Sequence, residues 1–254
     1  MDSSSKNDLS GTLTAHPLEA RAIVRAADFA HPLDHPIWSA LNGRHRHLAV
    51  TEGMARRYPS DIEPFIAIEE YSPAGWAALA RLTHPGEQLA LVIAAELAPP
   101  HPFEVLFARP IDQMAGVRKP EGESACELVE LGAADAAEMQ ELAGLTKPGP
   151  FAARTFELGR YLGVRAGGRL AAMAGERMRL EGFTEISAVC THPEARGRGY
   201  AKALVLELAR AIWERGERPF LHTLPENAPA VGLYKSMGFE TRRRLQYSLL
   251  RRSE

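Results

Sequence analysis

From Thr191 to Ala209 the chain reads THPEARGRGYAKALVLELA, with Gly197 and Gly199 alternating with Arg196 and Arg198 just before an apolar helical pattern. Such a stretch can bind phosphate. A helix leaves its first backbone N–H groups unpaired and carries roughly half a positive charge at that end, so an anion placed there satisfies both. Glycines keep the main chain open to a phosphate and take up backbone angles that other residues resist. Arg196 and Arg198 can add charge-assisted bonds to the same oxygens. The spacing fits neither GxxxxGK[ST] nor GxGxxG, which argues against a P-loop nucleotide or a dinucleotide.

The elements that must position this loop follow from the surrounding pattern. TEISAVC (184–190) alternates as a strand before it, and Leu204, Val205, Leu208 and Ile212 share one helical face after it, with Gly216 as the stop. Upstream, CELVEL (126–131) reads as a strand, 134–145 as a helix, TKPGP as a loop, 151–158 as a short helix, and Gly167-Gly168 as the turn of a hairpin. Downstream come a strand at 219–224, a helix over APAVGLYKSM stopped by Gly238, and a closing strand at 244–250. The order β-α-α-β-β-β-α-β-α-β predicts an α/β mixed sheet covered by helices.

The 254 residues, 45% of them hydrophobic, suffice for two lobes. Residues 1–16 are polar and Ser-rich and predict a disordered start; 17–118 predict a smaller N-terminal α/β lobe; RKPEGES (118–124) reads as a linker to the lobe at 125–254. Within the first lobe, helices are expected at Ile37–Leu41 and after Ser72-Pro73, and strands at 63–68, 88–94 and 103–109. A net charge of −2 gives no whole-chain field for nucleic acid. Two cysteines, Cys126 and Cys190, are too few for a disulfide framework, and no apolar run reaches the length of a membrane span. These features predict a cytoplasmic protein without membrane or nucleic-acid partners, as a monomer or homodimer.

Arg196-x-x-Gly199-x-Ala201 between strand and helix is similar to the [QR]-x-x-G-x-[GA] acyl-CoA pyrophosphate loop of the GNAT superfamily of N-acetyltransferases. Asn227, Ala230, Tyr234, Gly238 and Phe239 in NAPAVGLYKSMGF resemble a second signature of the same superfamily at the right distance downstream. The resemblance covers about 125–250. It implies a GNAT-like fold there, acetyl-CoA as co-substrate and an amine-bearing acceptor, with the N-terminal lobe, compatible with a diverged GNAT-like half, shaping the acceptor side. Backbone groups of Val189 and Thr191 resemble those that pair with the pantetheine arm. The segment Gly197, Arg198, Gly199, Tyr200 and Ala201 resembles the pyrophosphate cradle, and Asn227 the amide that touches the cofactor arm. Tyr234 resembles the tyrosine that protonates the departing thiolate. A phenol with a pKa of about 10 keeps its proton at neutral pH and can donate to a sulfur anion whose thiol has a pKa near 8.5; packing against the sheet is the other role open to it.

Glu185, eleven residues before Arg196, resembles the glutamate base of the histone-acetylating branch. A carboxylate serves as a base near neutrality if desolvation raises its pKa. A solvated strand end, or an electrostatic site for a cationic substrate, are the alternatives, and Glu176 or a water chain are the rival bases. His45-x-His47 lacks a third ligand nearby, so no metal is assigned. His192 and His222 are given no role, Arg242–Arg244 read as a solvated charge run, and Cys190 as a small buried hydrophobe. The reading is an acyl-CoA-dependent N-acetyltransferase acting on a primary amine by direct attack; a non-catalytic acyl-CoA sensor or adaptor is the alternative.

Overall fold

The computed structural model describes residues 23–122 and 126–254, so the stretch 1–16 lies outside the described residues. Helix α1 (Pro36–Asn42) buries Ile37, Trp38, Ala40 and Leu41. Strands β1 (Val50–Glu52), β2 (Ala55–Arg57) and β3 (Ile66–Ile68) form a small antiparallel sheet. Three-residue strands are too short to show alternation, which is why β1 and β2 leave no periodic signal. Helix α2 (Pro73–Leu82) starts as its chemistry requires: the Ser72 hydroxyl accepts the Gly75 N–H, and Pro73 takes the first turn, where its missing donor costs nothing.

The remaining strands are β4 (Gln88–Ile93), β5 (Phe103–Gly116), β6 (Val129–Leu131), β7 (Tyr161–Ala166), β8 (Arg169–Leu180), β9 (Phe183–Thr191), β10 (Arg218–Thr223) and β11 (Phe239–Arg252). Helices α3 (Ala136–Thr146), α4 (Tyr200–Glu214) and α5 (Ala228–Ser236) lie between them, and the short helix expected at 151–158 is a single 3₁₀ turn, Thr155–Leu158. All eight strands form one mixed sheet in the order β4-β11-β5-β10-β9-β8-β7-β6. It draws strands from both sides of the segment 118–124: β5 pairs with β11 along its length and with β10 over Asp112–Ala115.

Strand alternation sorts the core onto two faces. Met114, Ala172, Ala174, Leu221 and Phe239 pack with α4 and α5, burying Leu204, Val205, Leu208 and Ile212. Ile111, Phe220 and Leu245 face α1 on the other side, where Leu33, Ile37 and Leu41 are buried. Met173, Cys190 and Tyr161 meet α3.

Among the described strands of this sheet only β9 and β10 run parallel, and their register covers three pairs, Phe183↔Arg218, Thr184↔Pro219 and Glu185↔Phe220. Beyond these the two strands part, although β9 continues to Thr191 and β10 to Thr223. The sheet splits at its centre.

Candidate active site

A cavity of about 870 Å³ opens at this split. One half is lined by the C-terminal part of β9, the loop to α4 and the start of α5. Between Met173↔Cys190 and Gly175↔Ser187 the β8–β9 register slips, so that Ala188 and Val189 together oppose one residue, and Ala188 takes the left-handed conformation at φ 52°. Such a bulge re-aims the strand, and a non-glycine residue at positive φ stores strain of a kind concentrated at functional sites. Val189 therefore drops out of the ladder with β8 where β10 has already left, while Thr191 stays paired with Ala172.

The loop closes with Gly197 at φ 77° and Gly199 at φ 80°. A Cβ on either glycine would meet nothing within 4 Å, so the main chain is bare toward the cavity. Gly199 is the N-cap of α4; no side chain caps the helix and its first turn holds no acidic residue. The donors of Tyr200, Ala201 and Lys202 thus face the cavity with Arg196 and Arg198 beside them. This set of donors fits a diphosphate. Asn227 lies on the wall too, with its Oδ1 accepting the Ala230 N–H at 3.3 Å as the cap of α5.

Tyr234, on α5, lines the cavity with its ring edge-on to Phe239, and its hydroxyl makes no hydrogen bond among the described residues. Burial pushes its pKa up to about 12. Cys190, packed against α3, has its thiol pushed up to about 11, again first by burial. Cys190 therefore stays protonated and inert as a nucleophile.

The other half of the cavity is walled by Phe65, Val92, Ile111 and Tyr247, with Arg109, Arg177 and His222 as its polar groups. Behind it lies Glu185, fully buried and absent from the wall. A second register slip, between Glu176↔Ile186 and Arg179↔Thr184, sets Arg177 and Met178 against Glu185. Arg177 grips both carboxylate oxygens, Nε at 2.9 Å and Nη2 at 2.8 Å, and His222 Nδ1 lies 2.8 Å from Oε1. Desolvation alone would raise this carboxyl, but the Arg177 charge and the hydrogen bonds from His222 and Arg177 outweigh it and hold the pKa down to about 2. A base tuned toward neutrality needs the opposite shift. Glu176, the rival, is buried off the cavity wall with Oε1 2.9 Å from Arg215.

His222 is drawn into the same cluster. The Gln113 amide donates to Leu33 O at 2.9 Å and its Oε1 accepts from Arg242, which leaves its Nε2 as donor to His222 Nε2 at 3.1 Å. The proton then sits on Nδ1 and points at Glu185, so both ring nitrogens are engaged. Deeper still, Glu63 is fully buried with neither oxygen hydrogen-bonded among the described residues, and burial pushes it up to about 8. Elsewhere, His45 is buried on the Tyr58 hydroxyl at 2.9 Å, and Arg242, Arg243 and Arg244 are paired with Asp34 or Asp112, with Arg243 and Arg244 also exposed to solvent.

The model of the family FR47-like protein matches residues 161–248. A crystal structure from Novosphingobium aromaticivorans, assigned to the GNAT family of acetyltransferases, is 40% identical, with 88% of this chain and 100% of that chain covered and a TM-score of 0.82. The chain belongs to the GNAT family of acetyltransferases. A GCN5-related N-acetyltransferase from Kribbella flavida shares the fold at 18% identity and a TM-score of 0.57, over 86% of this chain and 94% of that one. Mycothiol acetyltransferase from Saccharomonospora viridis is 41% identical over 58 residues, which span 22% of this chain and 19% of that protein. Arg196, Gly199 and Tyr234 of this GNAT chain all line the cavity, whereas Glu185 stands behind it. Arg177 and His222, given no role from sequence, occupy the wall in its place. His222 sits two residues after the last β9–β10 pair, a placement that the strand pairing sets.

Proposed function

We propose that the protein transfers an acetyl group from acetyl-CoA to a primary amine by direct attack in a ternary complex. The observation that carries this reading is the cavity at the split between β9 and β10, ending on the uncapped, glycine-opened N-terminus of α4. The bare donors from Gly197 to Ala201, with Arg196 and Arg198, hold the diphosphate; the parted edge of β9 at Val189 and Thr191 receives the amide-bearing arm. The amine nitrogen forms its bond to the thioester carbonyl carbon, the C–S bond breaks with its electron pair on sulfur, and the nitrogen gives up one proton.

Tyr234 donates to the sulfur. A phenol raised to about 12 is some 3.5 units above an ordinary thiol near 8.5, a gap of roughly 5 kcal/mol against full transfer. Desolvation of the departing thiolate in the cavity raises its own proton affinity, which narrows the gap. Glu185 acts by holding Arg177 and His222 in place. The amine loses its proton to water, helped by the cavity itself: among the described residues its wall carries Arg109, Lys147, Arg177, Arg196, Arg198 and Lys202 and no aspartate or glutamate. Cations disfavour an ammonium and favour the free amine.

Acetyl-CoA is expected to raise the melting temperature, with ATP and NAD at equal concentration leaving it unchanged, and to release free thiol on addition of an amine. No shift with any acyl-CoA ends the reading. The acidic limb of the rate profile is expected to move with the acceptor's own ammonium pKa across a series of amines; a limb fixed at one pH assigns the base to a protein group instead.

A further inference from the structure

Along β5 and β11 four arginines pair with acids, Arg242 and Arg243 with Asp34, Arg244 with Asp112 and Arg251 with Glu104, and Arg252 donates instead to the Thr83 carbonyl. Arg109, on the same pair of strands, has no ion-pair partner among the described residues. Its guanidinium lies 5.6 Å from the Phe107 ring centre and 6.0 Å from that of Tyr247, two rings stacked at 5.8 Å, and it lines the acceptor half of the cavity. Both rings lie within cation–π reach of the guanidinium and leave its N–H donors unspent. Across the cavity wall Arg177 spends Nε and Nη2 on Glu185, while Nη1 makes no hydrogen bond among the described residues, and its guanidinium sits 4.9 Å from the Phe65 ring centre.

An acceptor entering here meets cations and apolar walls and no carboxylate. A polyamine, a lysine-rich segment or an aminosugar would bring its positive charge to a site without a counter-ion. We propose that the acceptor is an amine that also carries a carboxylate, an amino-acid-like zwitterion with an apolar side chain: Arg109 takes the carboxylate, assisted by Arg177 Nη1, and the side chain lies among Phe65, Val92, Ile111 and Tyr247. The carboxylate would pair with Arg109 and Arg177 Nη1, and the remaining cations of the wall would favour the free amine that attacks. This rests on the amine-acetylating reading above and names its substrate class.

The test uses matched pairs, each an apolar amino acid and the amine left when its carboxylate is removed, with peptides bearing the same N-terminal residue as a third arm that distinguishes a free carboxylate from a distant one. Acetyl-CoA-dependent thiol release is expected to favour the free amino acid in each pair by about tenfold or more in kcat/KM, the scale of one charge-assisted fork. Arg109→Gln is expected to collapse that ratio toward one, through the acceptor KM rather than through kcat or the KM for acetyl-CoA, and Arg109→Lys to restore part of it. Preference for the decarboxylated amine or for a polyamine, equal use of all arms, or a ratio that survives Arg109→Gln overturns the carboxylate site while leaving acetyl transfer standing. If no amine reacts, the melting temperature of coenzyme A-loaded protein is read with and without each amino acid: no shift also overturns the proposal. Failure of coenzyme A itself to shift the melting temperature overturns instead the reading beneath it.

Discussion

The two halves of the cavity are built on opposite plans. The cofactor half is main chain: a contiguous loop whose glycines leave N–H groups bare, with Arg196 and Arg198 at the surface. The acceptor half is side chain: Phe65, Arg109, Arg177, His222 and Tyr247 come from five separate places in the chain and rest on a buried charge cluster around Glu185. Surface donors can be altered without touching the core. Buried charges cannot, because each has been taken out of water and depends on its partner.

Glu185→Gln is expected to have the largest effect. It leaves the buried Arg177 guanidinium without its anion, and the expected loss of unfolding free energy is about 3–5 kcal/mol. Arg198→Gln on the exposed loop is expected to stay within about 0.5 kcal/mol of wild type. Denaturant unfolding of both variants reads the contrast, and equal losses would dissolve it. The pH dependence has a definite sign: with the folded pKa held to about 2, below the ordinary 4.5, Glu185 contributes stability above about pH 4.5 that is lost as the pH falls from there toward 2.

Glu63 sharpens the same point with the opposite sign. Burial raises it from 4.5 to about 8, so its contribution is whole below about pH 4.5 and is lost as the pH rises toward 8. Glu63→Gln keeps the shape without the charge and is expected to stabilise the protein by on the order of 2–4 kcal/mol at pH 9 and by little at pH 4. Melting curves of the two proteins that stay parallel from pH 4 to pH 9 would show that this carboxyl feels no such penalty.

Across the cavity, Tyr234→Phe removes one hydroxyl that has no hydrogen-bond partner among the described residues. Turnover is expected to fall by roughly a hundredfold with coenzyme A affinity nearly unchanged, as for loss of a general acid. An equal fall in affinity would make Tyr234 part of the binding wall instead.

The same difference in plan governs what the sequence discloses. A main-chain site is legible, because the glycines that open it must stand in order: Gly197 and Gly199 announce the loop, and the Ser72-Pro73 and Gly238 signals mark element ends where the structure has them. A side-chain site is not, because its members meet only through strand order. β5, read from sequence as a strand of the first lobe ending near 109, runs on to Gly116 between β11 and β10 and brings Arg109 and Gln113 to the site. The state of Glu185 was out of reach for a related reason. Burial alone argues for a raised carboxyl, and the slip in β8 that sets Arg177 opposite it carries no periodic signature.

Asn227 is where the two plans meet, and it carries the smallest expected effect. Its motif position implies an amide that touches the cofactor arm, yet its Oδ1 already caps α5 through the Ala230 N–H. Replacing it by Ala removes both possible roles, whereas Ser keeps a neutral acceptor for the cap and deletes the amide N–H₂. If capping is the whole role, Asn227→Ala costs about 1 kcal/mol in unfolding free energy, Asn227→Ser costs almost nothing, and coenzyme A affinity holds in the Ser variant. If the amide also serves the cofactor arm, the Ser variant keeps its stability and loses affinity. Isothermal titration of coenzyme A into the two variants separates these outcomes, since stability follows the oxygen and affinity the nitrogen of the same side chain.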